Sequence, residues 1–143
     1  PAGSLLLGRR EHIKKAIRIR KVLGGGMRQA GYLAAAGIHA LDHHVSRLAD
    51  DHARAKQLER ELRALPCIAT VLPVETNIVI FKLAADVSTE RFLAHLKDRE
   101  VLALSNGPQT VRMVFHLDVH DSQLDRLFAA LRGFADAGTS AAV

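Results

Sequence analysis

CIATVLPVETNIVIFKL, residues 67–83, is where the chain changes its period. Before it, apolar residues recur every three or four positions; within it they crowd together and alternate as strands do. Residues 68–72 read as one strand, Pro73 interrupts, and residues 77–83, centred on NIVIF, read as a second. On the N-terminal side, residues 45–65 predict a long helix with Leu48, His52, Ala55, Leu58 and Leu62 on one side and charge on the other. Pro66 closes it. On the C-terminal side, Ser88 is a good cap for a helix over residues 89–99. A short strand over 101–104, the loop SNGPQ and a strand over 111–115 follow. Asp121 then opens an amphipathic helix with Leu124, Leu127, Phe128 and Leu131 at i, i+3, i+4 and i+7, and residues 135–143 read as a frayed tail. The order strand, strand, helix, strand, strand, helix predicts a small α/β layer.

At 143 residues and 48% hydrophobic, the chain can fold as one modest domain, or as one domain plus a piece of another, and its composition predicts a folded rather than a disordered chain. The net charge of +5 is unevenly spread. Between residues 9 and 28 lie Arg9, Arg10, Lys14, Lys15, Arg18, Arg20, Lys21 and Arg28, against Glu11 alone. Such a run could be a nucleic-acid stripe. Single-strand binders interleave stacking rings with charge, however, and Tyr32 is the nearest ring, so a solvated helix face or a subunit interface accounts for it better. Cys67 has no partner for an internal disulfide and sits beside Ile68 and Ala69, which predicts a buried, inert thiol in a reducing, cytoplasmic setting. No apolar run approaches the roughly 20 residues of a membrane helix, and PAGSLLLG lacks the basic start of a signal peptide. Neither membrane nor nucleic acid is an expected partner. The chain has no initiator methionine and enters the apolar run SLLL at once, so residues 4–7 predict a buried strand belonging to a larger sheet, as in a piece of a longer protein.

Residues 13, 16, 17 and 22 give a helix after Gly8, with Glu11 near its positive end and Arg20 and Lys21 near its negative one. GGGMRQAG, residues 24–31, stops that helix, and a second follows on Tyr32, Leu33, Ala36, Ile38, Ala40 and Leu41, whose small residues permit close packing. Three glycines let another surface approach the backbone, and an arginine at the edge of such a loop suits an anion: Arg28 can take a phosphate bidentately. The same glycines also serve as a plain helix-to-helix turn.

His39 and His43 lie one turn apart with Asp42 and His44 beside them, but no convincing further ligand accompanies them. His116, Asp118 and His120 alternate after a strand and read as a cap or loop network, so no residue is assigned to a metal. Arg112 differs from these, because a charge entering a strand between Val111, Met113 and Val114 must be paired or functional, unless the strand is an edge and the arginine faces water. A carboxylate ligand suits it.

Taken together, PAGSLLLG, the basic helix, RKVLGGGMRQAGYLAAAGIHALDHHVSRLADDHA, TNIVIF and VRMVFHLDV resemble the C-terminal portion of low-specificity L-threonine aldolases, along nearly the whole chain. These are pyridoxal-phosphate enzymes of the aspartate-aminotransferase fold type. The resemblance implies an α/β fold in which residues 1–44 end the large cofactor-binding domain and residues 45–143 form a linking helix and the small C-terminal α/β domain. It implies retro-aldol cleavage of β-hydroxy-α-amino acids to glycine and an aldehyde, with pyridoxal 5'-phosphate as cofactor. Arg28 matches the arginine that reaches the cofactor phosphate of a neighbouring subunit, Lys21 lies near that shared site, and Arg112 matches the arginine that binds the substrate carboxylate. His116 and Asp118 fall in the family's HLDV pattern and shape the site. The implied assembly is a dimer of dimers. The family's Schiff-base lysine stands just upstream of the position of Pro1, and Lys14, Lys15, Lys21 and Lys82 are poor substitutes, so no catalytic residue is expected in this chain, which alone should be inactive without the N-terminal part of the enzyme. Phenylserine or hydroxyaspartate aldolase, a noncatalytic basic nucleic-acid module, and a piece serving assembly alone are the rival readings.

Overall fold

The computed structural model describes residues 3–139, with side chains through Asp136. The chain divides into two compact units, residues 1–46 and 47–143.

The first unit holds two helices. Helix α1 spans Arg10–Val22 and helix α2 spans Gly31–His43, as the apolar spacing predicts. Gly25 donates its N–H to the Arg20 carbonyl at 2.8 Å, and Gly24 has φ of 80°, a value that favours glycine, so the first glycines end α1. Neither helix contains a buried residue. Residues 4–7 are a correction: they form no strand, and Leu5, Leu6 and Leu7 are exposed. A strand needs a laterally bonded neighbour. Among the described residues of this unit there is none.

The second unit is a four-stranded antiparallel sheet with helices on one face. Its elements are α3 (Leu48–Arg63), β1 (Ile68–Val71), β2 (Ile78–Leu83), α4 (Thr89–Lys97), β3 (Leu104–Ser105), β4 (Thr110–Val114) and α5 (Asp121–Thr139). The order across the sheet is β1-β2-β4-β3. Because β4 pairs antiparallel with both β2 and β3, it is inserted between two strands joined through α4. The strand, strand, helix, strand, strand, helix order is therefore the observed one. Ser88 caps α4, its Oγ accepting from the Arg91 N–H.

Alternation makes one face of the sheet apolar and covered: Val79, Phe81 and Leu83 of β2 and Val111 and Met113 of β4 are buried with Leu58, Leu62, Phe92, Leu96, Leu124 and Leu131 of the helices. Three rings run through this core, Phe92 meeting Phe81 edge-on at 6.0 Å and Phe134 at 5.0 Å. Cys67 lies in the same core, buried as its neighbours predict, and burial pushes its thiol up.

The sequence misplaces two boundaries and one helix start. Helix α3 buries Ala55, Leu58 and Leu62 as expected, but in its first turn Asp51 is buried and Leu48 is 43% exposed. The buried carboxylate is tolerated because Arg47 grips both its oxygens, at 2.6 and 3.0 Å, and Arg54 adds a third bond. Arg54 also donates to Asp121 at the start of α5; that hydrogen bond raises its guanidinium above the ordinary value and ties α3 to α5. The strand expected over 101–104 is only the pair Leu104–Ser105. The expected frayed tail continues α5 instead, with Ala135 buried, and residues 140–143 lie outside the described residues.

Gln109 holds the β3–β4 turn. Its side-chain nitrogen donates to the Ala84 and Val87 carbonyls at 2.9 and 2.8 Å, and its oxygen accepts from the buried Thr89 hydroxyl at 2.9 Å. Gln109→Ala leaves three polar groups without these partners and is expected to cost about 2–3 kcal/mol in urea denaturation. Gln109→Gly, although it relieves the φ of 52°, should not restore this. Among the described residues no helix is long and apolar enough to cross a membrane.

Candidate functional site

The face of the sheet away from the helices carries Arg112. Strand alternation puts Val111 and Met113 into the core and turns Arg112, half-buried, to the opposite side. It is not an edge residue, because β4 is flanked by β2 and β3, and Arg112 stands directly across from Ile80 on one side and Leu104 on the other. Lys82, paired in register with Thr110, shares this face one step along the strand.

Most other arginines of the second unit are engaged, and Arg112 is not. Arg47, Arg54, Arg63, Arg126 and Arg132 are in ion pairs, Arg99 donates to the His95 carbonyl and Arg91 lies over the Phe134 ring. Among the described residues no hydrogen bond or ion pair reaches Arg112, nor Lys82. A half-buried guanidinium across from Ile80 and Leu104, with its donors unused, can receive an anion, and a planar carboxylate matches its fork.

The glycine loop of the first unit is a separate arrangement. A Cβ built on Gly26 would stand 2.7 Å from Lys21 Cδ and 3.2 Å from Lys21 Nζ. The Lys21 side chain thus lies over bare backbone that any larger residue would obstruct. Arg28 follows two residues later, exposed, and among the described residues neither cation has a partner. Two unpaired cations at a glycine loop are a donor set that fits the phosphate of pyridoxal phosphate; the groups that would hold its ring are not in this loop.

His116, Asp118 and His120 lie in the turn that leads into α5. His116 Nδ1 accepts from the Asp118 N–H at 3.3 Å, and the His120 N–H is capped by the Gln123 side chain at 2.7 Å, so these residues shape the turn into α5. Among the described residues no group of three or more His, Cys, Asp or Glu side chains is arranged to hold a metal ion. Missed by sequence reading were the aliphatic walls of Arg112, Ile80 and Leu104, and the place of Lys82 beside it. Each depends on strand register, which no local pattern reports.

Comparison with known proteins gives a consistent picture. The model of the beta-eliminating lyase family matches residues 1–86. The sequence is similar to the low specificity L-threonine aldolase of Escherichia coli K12, 43% identical over 134 residues that cover 94% of this chain and 39% of that protein. It is also similar to the probable low-specificity L-threonine aldolase 2 of Arabidopsis thaliana, 36% identical over 87% of this chain and 36% of that protein. The chain therefore spans less than two fifths of the length of these relatives. In backbone it is similar to a transaminase solved with L-alanine, with a TM-score of 0.64 over 88% of this chain and 34% of that one. At 18% identity that likeness is one of fold alone.

Proposed function

The chain belongs to the beta-eliminating lyase family, and from that premise we propose that it is the C-terminal portion of a threonine aldolase, cleaving L-threonine, L-allo-threonine and related β-hydroxy-α-amino acids to glycine and an aldehyde. The observation that carries this reading is the unpaired, half-buried Arg112 on the open sheet face. The names of the relatives favour threonine aldolase over the phenylserine, hydroxyaspartate and nucleic-acid readings.

Arg112 binds the substrate's α-carboxylate through paired N–H donors, with Ile80 directly across from it on the neighbouring strand. Holding the carboxylate fixes the rotation about the Cα bonds, so the bond to be broken is presented in one orientation. Lys21 and Arg28 hold the phosphate of pyridoxal phosphate, which, when bound, supplies an electron sink for the pair left at Cα. Arg28 reaches a neighbouring subunit's cofactor, which makes the working enzyme an oligomer, a dimer of dimers. His116 and Asp118 keep the turn beside the site in shape. Residues 1–44 end the large domain and residues 45–143 supply the linking helix and small domain; the lysine that joins the cofactor belongs to the part of the enzyme preceding Pro1. The single thiol suits a cytoplasmic setting.

The test is made on the full-length protein, purified with its cofactor: L-threonine should yield glycine and acetaldehyde in equal amounts. A cofactor-loaded protein that releases no aldehyde from any β-hydroxy-α-amino acid sinks the reading. A second expectation follows from the loop. Arg28→Ala removes a charge-assisted contact of about 1.5–3 kcal/mol, so the cofactor's dissociation constant should rise about 10- to 100-fold, measured by fluorescence on reconstituting the apoenzyme. Gly26→Ala should act in the same direction by displacing Lys21.

A further inference from the structure

Helix α2 brings together two side chains that no step above uses. His39 and His43 stack with ring centroids 4.3 Å apart and planes inclined by 22°. His43 Nδ1 lies 2.9 Å from the His39 backbone oxygen. A carbonyl oxygen only accepts, so this nitrogen carries the hydrogen, and Nε2 of the neutral ring is left as the basic nitrogen. Both rings are exposed, and a third, His44, stands edge-on to His39 at 5.4 Å.

We propose that His39 and His43 form a two-point chelate for a divalent first-row transition ion, copper or zinc rather than calcium or magnesium. Imidazole nitrogen suits the former ions, whereas the latter take oxygen. Histidines at i and i+4 on one helix face recur as a metal-binding pair. A backbone carbonyl on the other ring nitrogen, as His43 has, is the usual support that fixes the tautomer and orientation of such a ligand. Metal–nitrogen bonds of about 2.0–2.1 Å place two neighbouring ligand nitrogens about 3 Å apart, so on binding the rings leave their stack and turn their in-plane nitrogens toward one ion. With two protein ligands the remaining positions are taken by water. The ion is exchangeable, unlike that of a closed structural zinc site.

The full-length protein is titrated calorimetrically with Cu2+ alone and with Zn2+ alone in a non-coordinating buffer. One ion per chain is expected to bind with a dissociation constant on the order of micromolar, and Cu2+ should show two nitrogen ligands by electron paramagnetic resonance. His39→Ala and His43→Ala should each weaken this binding at least about tenfold, while His120→Ala leaves it unchanged. Absence of binding, or binding that survives either substitution, overturns the proposal. So does a pair of variants that merely melt earlier, by the same amount with and without the ion, for then the two rings only staple the helix.

Discussion

Arg112→Ala in the full-length enzyme is expected to lower kcat/KM for L-threonine by about two to three orders of magnitude, roughly 3–4 kcal/mol for losing a paired, charge-assisted contact to the substrate carboxylate. The geometry sets the size of the effect. Arg112 has no partner among the described residues, so its donors are free for the substrate, and half-buried Ile80 stands directly across from it on β2. The same geometry separates the variants. Arg112→Lys keeps the charge and loses the fork, so it should recover only part of the activity, with the deficit mainly in KM. Thermal unfolding of Arg112→Ala should be unchanged or slightly raised, because the side chain makes no internal bond to lose. A large drop in stability with the steady-state constants intact would make Arg112 a structural residue and remove it from the site.

Phe92→Ala is expected to destabilise the second unit by about 3–5 kcal/mol, the usual range for emptying a fully buried phenylalanine site. The side chain is fully buried between Phe81 of β2 and Phe134 of α5, with both contacts edge-to-face, so the deletion loses ring contacts as well as transferred area. Urea denaturation should show a lower midpoint with an unchanged slope. Phe81 is next in sequence to Ile80, which stands across from Arg112, so a loosened core should also raise KM in the surviving enzyme. A shift below about 1 kcal/mol would mean that the three rings do not pack as a unit.

Much of this could be read from residues in a row. The switch to strand spacing at Cys67, the cap at Ser88 and the heptad-like apolar run after Asp121 each rest on contacts within a few positions, and the observed elements follow them. The inward Asp51 was harder to read: Arg47 and Arg54 lie only four and three residues from it, but Arg54 is itself held by Asp121 of α5, far along the chain. Residues 4–7 have a strand's composition, but among the described residues of their unit no strand stands beside them to pair with. The stacking of His39 on His43 was latent in their spacing, but the hydrogen bond that orients His43 depends on rotamers.

The sequence by itself determined the α/β order of the second unit, the glycine loop with its two cations, and an arginine in a strand that had to be paired or put to use. Periodicity, capping and the cost of burying charge act over short stretches of chain and so leave marks there. Only the tertiary structure decided that Arg112 lies on an inner strand, faces away from the helices between Ile80 and Leu104, and has no partner among the described residues. Those facts come from strand register and from which face of the sheet the helices cover. Both are set by pairings between residues far apart in the chain, whose energies no local pattern contains.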